Sequence, residues 1–117
     1  MNIEEKVAAV VTALEDIKAS DITILDTTSL TSLFERVIIA SADSTRQTKA
    51  LAGSVKDKMK ELGEHVLGSE GEETGEWVLV DLGDIVVHIM HPAVRAHYNL
   101  EELWDAGVQA RTKRAAQ

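Results

Sequence analysis

Residues 77–90 read Trp-Val-Leu-Val-Asp-Leu-Gly-Asp-Ile-Val-Val-His-Ile-Met, two apolar segments joined through Leu82-Gly83. A two-residue connection that contains glycine, placed between such segments, predicts a β-hairpin. Alternate side chains of a strand share a face, so the hairpin sorts its residues into two sets. With Leu82-Gly83 as the turn, the predicted cross-strand pairs are Asp81 with Asp84, Leu79 with Val86, and Trp77 with His88.

The two faces of this hairpin differ in character. One face is wholly β-branched, as a buried core face requires, and carries Val78, Val80, Ile85, Val87 and Ile89. The other face carries Trp77, Leu79, Asp81, Asp84, Val86, His88 and Met90. It is too polar near the turn for a dry core and too apolar for a face left in water. Because Trp and Met are enriched in interface cores, this face is interpreted as a docking surface. The alternative is that a helix of the same chain covers it and Trp77 is a core residue.

The residues before the hairpin predict two helices and two strands. Asn2 and Glu5 form a capping-box pattern ahead of a helix over about residues 3–19. A first strand is predicted at residues 21–26, and the continuous apolar run at residues 37–40 is typical of a central strand covered on both faces. Ser44 and Gln47 offer a second capping box, and the helix that follows is predicted to stop at Gly63.

The remaining segments complete a mixed α/β prediction. A short strand is possible at residues 65–67, inside an acidic, glycine-containing segment. Pro92 can begin a last helix, which is expected to break at Asn99. The predicted order is α-β-β-α-β-β-β-α, with about five strands in a mixed sheet and three helices. Residues 1–107 are expected to form a single domain, and residues 108–117 a flexible basic tail.

Composition excludes several classes of protein. The 117 residues include 12 Lys and Arg, 20 Asp and Glu and no Cys, so the formal net charge is −8. Disulfide scaffolds, thiol catalysis and cysteine-ligated metal sites are therefore excluded. An acidic N-terminus and the absence of a long apolar run predict no signal peptide and no membrane partner, so a cytoplasmic location is expected. The acidic balance opposes unaided binding to nucleic acid and favours a basic protein partner.

Three small groups of residues are candidate sites of chemistry. His88 and His91 point to opposite faces of a strand, so no metal site is predicted there. Asp81 and Asp84 could hold Mg²⁺, but acids more often border a hairpin turn. Ser44 and Arg46, at the start of the second helix, could contact an anion or RNA, and a helix cap is the favoured alternative. No phosphate-binding glycine motif occurs and nothing specifically suggests a Ser/His/Asp triad, so the residues themselves assign no catalytic residue and no cofactor.

The motifs taken together carry a family resemblance over residues 7–104. In chain order they are Asp21-Ile22 with Leu25-Asp26, Val37-Ile38-Ile39-Ala40, Ser44-Thr45-Arg46, Glu70-Gly71, the run from Trp77 to Asp84, Val86-Val87-His88, and Tyr98-x-Leu100-Glu101-x-Leu103-Trp104. In this order they resemble the ribosomal silencing factor family, also called the iojap family. One departure is Glu35-Arg36-Val37, where the family usually has an aromatic residue before the central strand.

The resemblance implies a fold and a role. The fold would be nucleotidyltransferase-like but without catalysis, so no enzyme activity is implied. The role would be to bind the large ribosomal subunit at its ribosomal protein fourteen, block joining of the small subunit and lower translation when nutrients are short. The implied partner-binding residues are Trp77, Leu79, Asp81, His88, Met90 and Tyr98.

Other possibilities stay open at this stage. A large-subunit assembly factor would share the docking surface. A nucleotidyltransferase-like enzyme would use Asp81 and Asp84 with a metal, and Ser44 and Arg46 with nucleotide phosphates. Contact with adjacent ribosomal RNA is a further possibility, and the chain could be a monomer or a homodimer.

Overall fold

The fold is given by a computed structural model, which describes residues 1–104 and the backbone of residues 108–112. Four helices and six strands lie in these residues. In chain order they are α1 (Ile3–Asp16), β1 (Ser20–Asp26), β2 (Arg36–Ser41), α2 (Thr45–Glu61), β3 (Gly68–Glu70), β4 (Trp77–Asp81), β5 (Ile85–Met90), α3 (Pro92–Tyr98), α4 (Leu100–Leu103) and β6 (Val108–Thr112).

The strands form one mixed sheet in the order β3-β4-β5-β2-β1-β6. The β2–β5 pair is parallel, and every other pair is antiparallel. All six residues of β2 are buried, which confirms the central strand predicted from its continuous apolar run. The predicted mixed α/β fold is confirmed, with a sixth strand in addition to the expected five.

Helices α1 and α2 cover one face of the sheet. Their apolar stripes pack against the β-branched face of the β4–β5 hairpin and the inner side chains of β1 and β2. This main core includes Leu14 from α1, Leu51 from α2, and Val80 and Ile89 from the hairpin, each 4% exposed or less. The face that the hairpin pattern assigned to the core is therefore the core face.

Both helix starts follow the predicted caps, but only one is a full capping box. Asn2 and Glu5 each accept a hydrogen bond from the other's backbone N–H, at 2.8 and 2.9 Å. Ser44 accepts from the Gln47 N–H at 3.1 Å, whereas the Gln47 side chain bonds the Asp43 N–H and the Ile17 carbonyl instead. Gln47 thus ties the start of α2 to the end of α1.

Three predicted boundaries change in the structure, and a fourth is confirmed. Helix α1 ends at Asp16 rather than near residue 19, because Lys18 takes a left-handed conformation with φ 67°. The short strand lies at Gly68–Glu70, not at residues 65–67. The predicted break at Asn99 is confirmed, with φ 46°, and separates α3 from α4. Strand β6 pairs with β1 at the start of the segment predicted as a tail, and residues 105–107 and 113–117 lie outside the described residues.

The predicted hairpin register is wrong by two residues. Asp81 pairs with Val86, Leu79 with His88, and Trp77 with Met90. The turn is therefore Gly83-Asp84, closed by a hydrogen bond from the Leu82 N–H to the Ile85 carbonyl at 2.9 Å. Leu82 continues the core face at 4% exposure, and Gly83 takes φ +90° while its N–H donates to the Asp81 carboxylate at 2.8 Å. A shift of two residues preserves the alternation, so the sorting of side chains into two faces is unchanged.

Within residues 1–104 no helix combines the length and apolarity needed to cross a lipid bilayer.

Candidate functional site: a groove on the open sheet face

The second face of the sheet is only partly covered, and the uncovered part forms a groove of about 530 Å³. We call it the docking groove. Its floor is the outward face of β4 and β5, and its walls come from the loop before β2, the loop before β3 and helix α4. It is lined by Leu33, Phe34, Val37, Leu67, Glu70, Trp77, Leu79, Asp81, Gly83, Val86, His88, Leu100, Leu103 and Trp104.

The covered part of this face is a second, smaller core under α3 and α4. Its fully buried members are Leu25, Val37, Ile39 and Met90, and the partly buried side chains packed on them include Val94 and Leu100. The alternative, in which a helix of the same chain covers this face, therefore holds for the part that lies under α3 and α4. Met90 is 0% exposed, so the prediction that it meets a partner needs correction: α3 and α4 cover it, and it supports the groove from beneath.

Trp77 lies half-buried at the boundary between this second core and the groove. Its indole Nε1 donates to Nδ1 of His88 at 3.0 Å. Its ring centroid is 4.9 Å from that of Tyr98, at an interplanar angle of 48°. Tyr98 is itself 57% exposed, at the end of α3. The indole is thus fixed on two sides by side chains and is still partly open to solvent.

His88 stands beside Trp77 on the groove floor, as the face assignment predicted. Burial lowers the pKa of its imidazole to about 4, because the charged form loses hydration inside the protein. The ring is therefore neutral at physiological pH. A neutral ring can accept the indole N–H, whereas a protonated ring could not.

The two aspartates of the hairpin make structural contacts. Asp81 lines the groove and accepts the Gly83 N–H in the turn. Asp84 pairs with the buried ammonium of Lys6, on α1, at 2.7 Å. Among the described residues, no group of three or more metal-ligating side chains comes together. The turn-bordering interpretation accounts for both carboxylates.

The predicted anion site is separate from the groove. Ser44 and Arg46 are exposed at the start of α2, on the layer that covers the opposite face of the sheet. Ser44 caps the helix through the Gln47 N–H, which was the favoured alternative. The structure therefore does not bring Ser44 and Arg46 together with the other predicted site residues.

Sequence reasoning missed an apolar rim around the groove. Leu33, Leu67 and Leu103 line it and are 79%, 59% and 70% exposed. Exposed leucines grouped at one concavity are typical of an interaction surface. Leu33 and Leu67 lie in loops, where no periodicity marks them. The sequence did contain one signal: these large apolar residues occur in segments that otherwise consist of turn-forming and acidic residues.

The groove also has an aromatic wall near the segment that departs from the family pattern. Phe34 meets Trp104 edge to face, with ring centroids 5.7 Å apart. Phe34 immediately precedes Glu35-Arg36-Val37, so an aromatic ring reaches the groove from the neighbouring position. Val37 completes the floor at 1% exposure.

The charged side chains that line the groove are acidic. Glu70 and Asp81 belong to the lining, and no Lys or Arg does within the described residues. The chain as a whole carries a formal net charge of −8. An apolar groove with acidic margins is complementary to a partner that has an apolar anchor and basic surroundings.

Comparisons with known proteins give one consistent result. A family model described as "Ribosomal silencing factor during starvation" matches residues 1–117. A protein of Chromobacterium violaceum named ribosomal silencing factor RsfS is 60% identical over 104 residues, which are 89% of this chain and 85% of that protein. A crystal structure of a Chromobacterium violaceum protein superposes with a TM-score of 0.89 at 55% identity, covering 99% of this chain and 95% of the other.

A more distant relative carries a different name. The mouse protein called mitochondrial assembly of ribosomal large subunit protein 1 is 30% identical over 97 residues, which are 80% of this chain and 42% of the mouse protein.

Proposed function

Because the chain belongs to the ribosomal silencing factor family, we propose that it represses translation by binding the large ribosomal subunit and blocking its joining to the small subunit. The contact is made in the cytoplasm between the docking groove and large-subunit protein fourteen. Adjacent ribosomal RNA is a secondary contact. The family description adds the condition, starvation, under which such repression is useful.

The observation that carries this proposal is the way Trp77 is presented. A rigid indole, held by His88 and Tyr98 and bordered by exposed leucines, has the character of an interface hot spot. Such an anchor contributes on the order of 2–4 kcal/mol to binding, whereas an exposed ion pair at the rim contributes about 0–1 kcal/mol. The apolar groove therefore supplies most of the affinity.

The mechanism is steric occlusion. A bound copy of this domain, with extents of 32 × 31 × 26 Å, occupies space that the small subunit would need. Occlusion requires that the protein bind one subunit and be large enough to clash with the other. It requires no reacting group. The proposed role therefore needs no catalysis, and Asp81 and Asp84 have structural roles: Asp81 accepts the Gly83 N–H and Asp84 pairs with Lys6.

The test is sedimentation of the purified protein with separated ribosomal subunits, followed by addition of the complementary subunit. Wild type is expected to travel with the large subunit and to reduce joining. Trp77→Glu is expected to weaken binding by 30-fold or more, on the order of 2 kcal/mol, because a carboxylate would replace the apolar anchor.

The matched control is Leu62→Glu, the same kind of change at an exposed leucine just after α2, on the layer opposite the groove. It should bind like wild type, and circular dichroism should show both variants folded. Binding by folded Trp77→Glu at the wild-type level, or an equal loss in both variants, would contradict the proposal.

A role in large-subunit assembly is the second candidate, and the name of the mouse relative favours it. The same groove would then bind a precursor of the large subunit. Two measurements separate the roles. An assembly factor binds without inhibiting subunit joining, and its deletion leads to accumulation of immature large subunits.

A further inference from the structure

The protonation state of the His88 ring is determined by its neighbour. The indole Nε1 of Trp77 is a donor only, and it lies 3.0 Å from His88 Nδ1. Nδ1 must therefore accept the hydrogen bond and carries no proton. A neutral imidazole has one N–H, so the proton is on Nε2.

The protonated nitrogen remains available to a ligand. Trp77 is the hydrogen-bond partner that the structure shows for the His88 ring among the described residues. Of the side-chain nitrogens and oxygens in those residues, only His91 Nε2 is both fully buried and without a hydrogen-bond partner. The structure shows no partner for His88 Nε2 within the same residues, so this nitrogen is not fully buried and remains open to solvent. His88 lines the docking groove, where its neighbour across the hairpin is Leu79.

The surroundings of this donor select the kind of acceptor that fits. A carboxylate or phosphate entering the groove would meet the negative charges of Glu70 and Asp81. An ammonium or guanidinium group has no lone pair to accept with. A neutral oxygen satisfies the donor without either conflict, and the carbonyl is the neutral oxygen that every residue of a protein segment carries.

We propose that Trp77 holds His88 as an Nε2–H donor and that this donor binds a carbonyl oxygen of the protein segment that occupies the docking groove. The inference rests on the proposed function for the identity of that segment, a part of the large ribosomal subunit. It assigns two separate tasks to the pair: Trp77 is the apolar anchor, and His88 specifies the position of one polar group in the partner. A partner with an apolar group at that point would leave the donor unpaired.

The first experiment reads the tautomer in the unbound protein. Long-range ¹⁵N–¹H correlation spectra of the histidine rings should show His88 Nδ1 at the shift of an unprotonated nitrogen and Nε2 at the shift of a protonated one, unchanged between pH 6 and 8. In Trp77→Phe the indole donor is absent, so the two tautomers should mix. A protonated Nδ1 in wild type would overturn the proposal.

The second experiment measures binding to purified large subunits. His88→Asn places an amide oxygen at the position of Nδ1, where it can still accept from Trp77, but it has no Nε2–H. Affinity should fall by about tenfold, the effect of one lost hydrogen bond. His65→Asn, the same change at an exposed histidine outside the groove lining, should bind like wild type.

The third experiment uses the wild-type protein and needs no variant. A structure of wild type bound to the large subunit should place a carbonyl oxygen within hydrogen-bond distance of His88 Nε2. An apolar group, a carboxylate or a phosphate at that point would overturn the inference. If wild type binds no subunit, the proposed function fails, while the tautomer spectra still report on the Trp77–His88 pair.

Discussion

At the scale of single residues, Trp77 and His88 determine each other's properties. The indole N–H fixes which imidazole nitrogen is unprotonated, and the neutral imidazole fixes the orientation of the indole. Burial keeps the ring neutral by lowering the pKa of His88 to about 4. The same pair that presents the anchor therefore makes the fold sensitive to acid.

The pKa shift of His88 predicts a loss of stability between pH 6.5 and 4. In that range the unfolded chain binds the proton at its ordinary pKa of about 6.5 while the folded chain does not, so the free energy of unfolding falls as pH falls. Between pH 7 and 5 the loss should be about 2 kcal/mol. Urea denaturation at both pH values measures it.

The control for this pH effect is His88→Asn, which has no titrating group at that position. The difference in stability between wild type and this variant should shrink or reverse at pH 5. A difference that stays constant from pH 7 to 5 would show that His88 titrates normally in the folded protein.

At the scale of elements, strand β4, which forms part of the groove floor, is flanked by two tight backbone turns. Gly71 and Gly83 both have φ +90°, one in the loop before β4 and the other in the β4–β5 turn. A Cβ at Gly83 would meet only the Leu67 side chain, with Cδ1 at 3.5 Å and Cγ at 4.0 Å, both ordinary contacts. A Cβ at Gly71 would clash with the backbone carbonyl oxygen of Trp77. The loop therefore approaches the anchor residue more closely than any side chain allows.

This pair of glycines gives a matched prediction. Gly83→Ala should lower the free energy of unfolding by about 1–2 kcal/mol, through backbone strain alone. Gly71→Ala carries the same strain and also displaces the Trp77 backbone, so it should lower the free energy of unfolding by at least about 3 kcal/mol. Urea denaturation measures both variants, and equal losses of stability would contradict the prediction.

A buried arginine fixes helix α4, which forms one wall of the groove, together with its neighbour α3. Arg95, on α3, donates to Thr23 Oγ1 and Ser41 Oγ at 2.9 Å, to the Asp21 carbonyl, and through Nε to Glu101 at 2.8 Å. One guanidinium thus joins α3 to β1, β2 and α4. Without this link the apolar contacts of Val94 and Leu100 would have to hold both short helices on the sheet.

Arg95→Lys is expected to destabilise the fold by about 3 kcal/mol, since an ammonium cannot reproduce the planar set of donors in a buried site. Hydrogen exchange in α3 should accelerate together with the drop in stability. Arg46→Lys, at an exposed position, is the matched control and should change the free energy of unfolding by less than about 0.5 kcal/mol. Similar values for the two variants would mean that apolar packing alone holds α3.

At the scale of the whole molecule, charge and shape have separate roles. Under the proposed function, the net charge of −8 directs the chain toward a basic partner surface, and the groove sets the position of binding. Raising the salt concentration should therefore slow association with the large subunit and leave dissociation nearly unchanged. Rapid-mixing kinetics at low and physiological salt measure both rates. Binding that disappears at physiological salt would show that charge, rather than the apolar groove, holds the complex.

The features that the sequence determined are local ones. The cap at Asn2, the break at Asn99, the buried strand β2 and the sorting of the hairpin into two faces each depend on residues within a few positions of one another. Side-chain alternation in a strand has a period of two, so the correct faces followed even from an incorrect turn. The prediction that Trp77, Leu79, Asp81 and His88 share one face follows from this alternation.

The tertiary structure decided what depends on distant parts of the chain. It placed the turn at Gly83-Asp84, because burial of Leu82 in a core built from α1 and α2 outweighs the local turn signal. It buried Met90 under α3 and α4, paired β6 with β1, and assembled the rim from Leu33, Leu67 and Leu103. Apart from the burial of Met90 under the helices that follow it, these outcomes join segments tens of residues apart, and no local pattern encodes which segments meet. The sequence by itself therefore determined which side chains share a face, and only packing determined which part of that face stays open to a partner.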